Sequence, residues 1–198
     1  MNRVGGFLLC LIGVILYGWL SSAVLAEAAS GDADGTYTVT ITKLETSKDS
    51  GVTYTTLFEG SQAVNIASVS AGSIAAGLVN GVNLDVGTYD RVRATIGATL
   101  LLKGYVNNGA TTIYTNGGTD GNGFSTNGGA ANTPGSDYGT STFTIPAGSR
   151  TSTTSGLSIQ IQPGIAPTVT VQFDTTGVMT QSGGIPSVGA PSVTITSQ

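Results

Sequence analysis

The sequence predicts an all-β fold, an antiparallel β-sandwich, and three observations lead to this prediction. Residues 36–42 alternate strictly between hydroxyl and large apolar side chains. A similar alternation of polar and apolar residues recurs at 157–162, 168–174 and 193–196. Side chains of a strand point alternately to its two faces, so each run would bury one face and expose the other. The runs are too short for helices, and turn residues separate them at intervals typical of sandwich strands.

The N-terminal half supplies the first strands in order. A strand is predicted over 36–45, and the Lys-Asp-Ser-Gly turn at 48–51 leads into a return strand, because Asp and Gly tolerate the backbone angles of tight turns. Strand character resumes at 82–96, on both sides of Gly87, and continues over 99–106. The alternating pattern of these segments predicts antiparallel pairing between them.

The composition changes sharply over residues 107–139, where Asn, Gly, Thr and Ser dominate. We interpret this segment as a long loop or a decorated hairpin inserted into the domain, not as a second domain. Strand character returns at 140–145, 156–162 and 168–174. We therefore expect one domain over residues 29–181, an immunoglobulin-like or prealbumin-like sandwich of seven to nine strands with little helix.

The first 28 residues have the order of a secretory signal peptide. Arg3 supplies a positive start, residues 7–24 carry no charge, and small residues follow. Cleavage after Ala26 or Ala28 is expected, and the mature protein would then be secreted and free of the membrane. The alternative is an uncleaved anchor, because an apolar stretch of about 18 residues is close to the minimum that spans a bilayer.

The composition excludes several classes of function. The chain contains no histidine, and its single cysteine, Cys10, lies in the predicted leader. A Ser-His-Asp triad is therefore absent, and most metal and nucleophilic chemistry lacks its usual residues. Charged residues make up 9% of the chain and the net charge is −4, which argues against binding to nucleic acid. We expect a non-enzymatic protein without a cofactor.

Several short motifs follow one another along the chain, at 38–45, 64–67, 84–93, 143–149, 156–157 and 169–174. The most specific of them is Gly87-Thr-Tyr-x-x-Val-Arg93. In this order they resemble the uncharacterised prokaryotic extracellular family called domain of unknown function 4382, roughly from Tyr37 to Val178. The resemblance implies a secreted β-sandwich and carries over no catalytic residue.

Two groups of residues in or near the insertion are candidates for ligand binding. Asp120, Asn122 and Asp137 offer the oxygen ligands that calcium prefers, although their role as turn residues is the favoured interpretation. Aromatic side chains are the usual platforms for sugars, and a surface polysaccharide is a possible partner. The aromatic candidates are Tyr105, Tyr114, Phe124 and Tyr138. Outside the insertion, Arg91 and Arg93 share one strand face and could bind a carboxylate, or pair with acids of the chain itself.

The C-terminal segment, residues 182–198, reads as a Gly/Ser/Pro-rich linker followed by a strand. Val193 and Ile195 lie two apart, so both would point to the same face of that strand. The strand could pair within its own sheet, or it could complete the sheet of a neighbouring subunit, as donor strands do in pilins. For the second alternative, the apolar face of Tyr37, Val39 and Ile41 is the expected receiving edge.

These observations lead to two hypotheses of function. The first is a structural subunit of an extracellular filament or surface assembly, a homopolymer joined by exchange of β-strands. The alternative is a monomeric cell-surface binding module that uses the loop at 107–139 for a carbohydrate or a calcium-dependent ligand.

Overall fold

The computed structural model describes residues 29–67, 84–109, 111–128, 133–163 and 169–197. These residues form an all-β structure, and every pair of named strands is antiparallel, so the predicted class is confirmed. The predicted leader, residues 1–28, lies outside the described residues. The strands are β1 (Ala29–Gly31), β2 (Ala33–Ser47), β3 (Thr55–Asn65), β4 (Gly87–Asn107), β5 (Thr111–Thr115), β6 (Phe124–Gly128), β7 (Ser141–Thr144), β8 (Thr151–Ile161), β9 (Val169–Asp174), β10 (Met179–Ser182), β11 (Ile185–Val188) and β12 (Ser192–Ser197).

The largest sheet has seven strands and is organised around β2 and β4. β2 pairs with β3 on one side and with β4 on the other. The long strand β4 pairs along its length with β8, then β7, then β5, and β5 pairs with β6. β2 and β4 are central strands, since their backbones are paired on both sides. Their alternating sequences also supply apolar side chains to the core.

Two smaller sheets complete the described fold. The first has the order β1-β10-β11 and brings the start of the described chain beside residues 179–181. The second contains β9 and β12 alone. β12 lies close to β8, and no paired ladder joins the two strands in the ranges that the structure describes. Those ranges contain no helix that is long and apolar enough to cross a membrane.

The core combines side chains of the large sheet with side chains near β10. Leu102 and Met179 are fully buried, and they share one apolar cluster with Tyr37. Full burial of each such aliphatic side chain stabilises the fold by roughly 1.5–3 kcal/mol. β1 approaches β4 so closely that a Cβ atom on Gly31 would lie 1.9 Å from the carbonyl oxygen of Tyr105. Only glycine fits at this contact.

Two segments contain strands beyond the seven to nine that the sequence predicts, and the described residues contain twelve strands in all. The insertion at 107–139 forms a decorated hairpin, with β5 and β6 as its arms and a short 3-10 helix, Asp120–Gly123, between them. The predicted linker is not a plain linker, because β10 and β11 form a hairpin over residues 179–188. Gly183 and Gly184 both have positive φ and form its two-residue turn.

Candidate functional site

The C-terminal strand forms a two-stranded ribbon with β9. The register aligns Val193 with Phe173 and Ile195 with Val171, so the apolar positions of the two strands are paired. Thr194 is exposed and Ile195 is half-buried. The strand that receives β12 in this structure is therefore residues 169–174 of the same chain.

The start of the connector before β12 is fixed to the body of the domain. The Tyr37 hydroxyl donates a hydrogen bond to the Gly189 carbonyl at 2.8 Å, and the Gly189 amide donates to the Val178 carbonyl at 2.7 Å. Burial raises the pKa of Tyr37 to about 12, so the hydroxyl remains a donor throughout the neutral range. After Gly189, two residues, Ala190 and Pro191, lead into β12. They form a short hinge between a fixed point and a strand.

Tyr37, Val39 and Ile41 do not form a receiving edge, which corrects the expectation from the sequence. They are 2%, 9% and 8% exposed and belong to the core. β2 lies between β3 and β4, and its backbone is paired on both sides at these positions. The alternating pattern correctly indicated burial of this face, but it does not tell whether a strand is central or at an edge.

The acidic residues of the insertion bind groups of the chain itself. The Asp120 carboxylate accepts from the Thr144 amide at 2.6 Å and from the Thr144 hydroxyl at 3.0 Å. Asp137 accepts from Ser125 and from Tyr114, each at 2.7 Å, and these two bonds hold its pKa below the usual value. The backbone N–H of Asn122 donates to the Thr119 carbonyl in the 3-10 turn at 3.1 Å.

Asp120, with a φ of 48°, and Asn122 lie in the 3-10 turn, whereas the carboxylate contacts of Asp120 and Asp137 join separate segments of the chain. Hydrogen-bond donors of other segments occupy part of each carboxylate, which leaves fewer lone pairs for a cation. Within the described residues, no group of three or more His, Cys, Asp or Glu side chains is arranged to hold a metal ion.

Three of the four aromatic candidates lie together on the insertion. Tyr105 and Tyr114 are directly paired across β4 and β5, and Tyr138 meets both rings edge-on, at centroid distances of 6.2 and 6.1 Å. Tyr105 is 40% exposed, whereas Tyr114 is buried. Phe124 is not part of this group, because it packs against Phe143 at 4.9 Å.

Two charged residues complete the tyrosine group. The Tyr138 hydroxyl donates to Asp34 at 2.9 Å, and burial is the first cause that raises the pKa of Tyr138. The Lys103 ammonium lies 4.5 Å from the centre of the Tyr138 ring and 3.7 Å from the Asp34 carboxylate. Asp34 lies 104 residues before Tyr138, so no local pattern could have revealed this contact.

Each arginine of β4 lies beside an acid of the chain, and the Arg91 Nε atom is 3.8 Å from the Asp90 carboxylate. Arg93 donates to Glu45 at 2.7 Å and its guanidinium stacks 3.6 Å from the centre of the Tyr54 ring. Lys43 reaches the other oxygen of Glu45 at 3.0 Å. The hydrogen bond from Arg93, followed by that from Lys43, lowers the pKa of Glu45 although its side chain is only 7% exposed. Pairing with an acid of the chain, one of the two expected roles, is therefore what Arg93 does.

Comparison of the chain with protein-family models, with curated proteins and with solved structures finds no match. The resemblance to domain of unknown function 4382 therefore stays a prediction from the motifs of the sequence. The functional argument depends on the geometry of the described residues alone.

Proposed function

We propose that the chain is a structural subunit of an extracellular filament or surface assembly, and that subunits join by exchanging β12. One observation carries this proposal: within the described residues, β12 pairs only with β9, in a ribbon that is separate from the seven-stranded sheet. A two-stranded ribbon is marginally stable by itself, so this pairing can open without disrupting the seven-stranded sheet. A neighbouring chain can then supply the same strand.

The hinge at Ala190 and Pro191 supports exchange of β12 between subunits over simple fraying of the chain end. Gly189 is held by Tyr37 and by Val178, so the arm that moves begins at Ala190. Short hinge loops favour domain swapping, and the exchanged strand makes the same contacts in the neighbouring subunit. If each subunit passes its strand to the next and the last passes its strand to the first, the subunits form a closed ring. If the series does not close, they form an open filament.

The proposal includes a secreted, sandwich-like subunit. The apolar cluster supports stacked sheets, because it joins Tyr37 and Leu102 of the large sheet with Val178 and Met179 near the small one. The basic start, apolar core and small residues of the leader support export. A surface rich in Ser, Thr and Asn, with few charges, suits a subunit that must pack against copies of itself.

Cysteine pairs test strand exchange directly. Gln172 and Thr194 are partners in the β9–β12 register, and a chain that begins at Ala29 has no native cysteine because Cys10 is the only one. We expect an oxidised mixture of the Gln172→Cys and Thr194→Cys single variants to form disulfide-linked heterodimers. The double variant should give a ladder of polymers on a non-reducing gel.

The control replaces Thr194→Cys by Ser61→Cys, an exposed position on β3 that has no register contact with β9. This mixture should remain uncrosslinked. Strand exchange is refuted if the double variant forms only an internal disulfide and the Gln172→Cys and Thr194→Cys mixture stays monomeric at every protein concentration.

The second candidate function is binding of a surface carbohydrate by the insertion, and the tyrosine group favours it. Tyr105 presents an exposed ring beside Lys103 and Asp34, a combination of aromatic surface and polar groups that suits a sugar ring. Affinity electrophoresis through gels containing neutral or acidic polysaccharides tests it. Tyr105→Ala should abolish any retardation and Tyr105→Phe should preserve it; equal migration of the unsubstituted protein with and without polysaccharide would exclude this function.

A further inference from the structure

Four strands of the large sheet lie side by side at one level. One row of directly paired residues crosses all four strands, and the next row is aligned in the same way. At this level the outer strands are β3, over residues 55–59, and β8, over residues 151–155. The first row consists of Thr56, Glu45, Arg93 and Thr153.

Neither outer segment has a ladder partner on its far side in the described ranges, where β3 pairs only with β2 and β8 pairs only with β4. β12 lies near β8 without pairing with it. Thr55, Thr56, Glu59 and most of residues 151–155 are exposed. Natural edge strands are usually protected by charged residues or proline, yet residues 151–155 are all Ser or Thr. An unprotected edge of this kind is a template for another strand.

The two edges are complementary in direction. β3 is antiparallel to β2, β2 to β4, and β4 to β8, so β3 and β8 run in opposite directions. A second copy displaced sideways by about 19 Å, four strand spacings, would therefore place its β3 against β8 in an antiparallel sense without any rotation. The same step can be repeated, and the natural twist of strands would turn the row of copies into a helix.

We propose that residues 151–155 of β8 pair with residues 55–59 of β3 in a second copy of this chain, and so join subunits head to tail in a continuous sheet. When the paired rows of the two copies lie at the same height, Thr153 faces Thr56 of the next copy and Thr154 faces Thr55 of that copy. Facing threonines are favourable cross-strand pairs. A register shift at Leu57 of β3 brings Glu59 to the level of Thr151, next to Arg150, which adds opposite charges at one end of the contact.

This contact rests on the proposed function in one respect, since both require that subunits assemble. It uses none of the residues of β9 or β12, so the two interfaces can be tested separately. A head-to-tail contact between two different edges does not close on itself, which is the condition for an open filament.

A proline at Thr153 should block the edge and leave the domain folded. The Ile96 amide donates to the Arg150 carbonyl at 2.8 Å, and bonded and non-bonded pairs alternate along an antiparallel ladder. Arg93 and Thr153 are therefore a non-bonded pair, and the Thr153 amide points away from β4 towards the open edge. Thr153→Pro removes that outward donor, whereas the control Thr153→Val retains it.

We expect Thr153→Pro to raise the protein concentration required for assembly roughly tenfold or more, measured by light scattering and negative-stain microscopy, while Thr153→Val assembles normally. A cysteine test does not depend on whether the proline variant folds. Thr56 and Thr153 are separated by β2 and β4 within one chain, so a disulfide between Thr56→Cys and Thr153→Cys can form only between molecules.

The outcomes separate this contact from the proposed function. Disulfide-linked heterodimers from a mixture of the two single cysteine variants support the contact. It is overturned if that mixture does not crosslink under conditions in which the unsubstituted chain forms filaments, or if folded Thr153→Pro assembles normally; assembly then proceeds through another interface. If the unsubstituted chain is monomeric at all concentrations, the proposed function fails together with the contact.

Discussion

Replacing Tyr37 by Phe removes the hydrogen bond that joins β2 to the start of the C-terminal hinge. Tyr37 is 2% exposed, and its hydroxyl donates to the Gly189 carbonyl at 2.8 Å. Loss of one partner of a buried hydrogen bond costs about 1–3 kcal/mol. Gly189 is exposed, so water can partly replace the donor, and we take the lower part of that range, about 1–1.5 kcal/mol. The melting temperature should then fall by about 2–6 °C.

The local consequence distinguishes this bond from an ordinary stabilising contact. Amide hydrogen exchange over residues 190–197, followed by mass spectrometry, should become faster because the hinge has lost one of its two attachments. Tyr89→Phe is the matched control: Tyr89 is also 2% exposed, and its hydroxyl donates to the Asp85 carbonyl at 3.2 Å, in another part of the large sheet. The reasoning is refuted if both variants change exchange at 190–197 equally, or if Tyr37→Phe changes neither exchange nor stability.

Three further predictions concern other parts of the chain. Gly31→Ala should detach β1 and lower the melting temperature, because the new Cβ would meet the Tyr105 carbonyl at 1.9 Å; an unchanged thermal transition would contradict this packing. Glu45→Gln should cost about 1–3 kcal/mol near neutral pH, less than a fully buried pair because the Arg93 side chain is 32% exposed. The folded-state pKa of Glu45 is lowered, so the stabilisation from its carboxylate is present above the unfolded pKa and is lost as pH falls through the folded value. The free energies of urea unfolding of the unsubstituted protein and of Glu45→Gln should therefore become equal in acid. A difference that stays constant with pH would argue against the pairing. N-terminal sequencing of exported protein should begin at Glu27 or Ala29, and recovery of residues 1–25 in membranes would favour the anchor.

The strands that the sequence located best are those with strict alternation. The prediction of 36–45 lies within β2, and the predicted face of Tyr37, Val39 and Ile41 is buried. The beginning of β8 was missed, because residues 151–155 are all hydroxyl residues without a period of two. An edge strand that is exposed on both faces needs no alternation of apolar and polar residues, so its sequence lacks the period of two that predicts a strand.

The β10–β11 hairpin was missed for a different reason. Gly, Ser and Pro dominate this segment and indicate a linker by composition. The Gly183-Gly184 pair between two short runs was the available signal, since adjacent glycines favour a two-residue hairpin turn. Met179 and Val178 are buried there, so contacts with the core hold a segment whose intrinsic preference for strand is low.

The candidate sites show the same division between local and long-range information. Tyr105 and Tyr114 lie near each other in sequence and meet across the β4–β5 hairpin. Asp34, by contrast, joins this group only through the fold. The sequence indicated that Asp120 has turn chemistry, and the structure supplied its partner, Thr144, 24 residues away.

The sequence by itself determined the all-β class, the absence of histidine chemistry and the buried face of β2, because side-chain period and composition are properties of short segments. Only the tertiary structure decided which strands are central and which are edges. In the structure, β2 with Tyr37 lies between β3 and β4, and β3 and β8 are the outer strands of the four-stranded part of the large sheet. The β9–β12 ribbon is separate from that sheet. The physical reason is that a strand's backbone carries the same donors and acceptors in either position, so its place depends on which distant segments pack beside it.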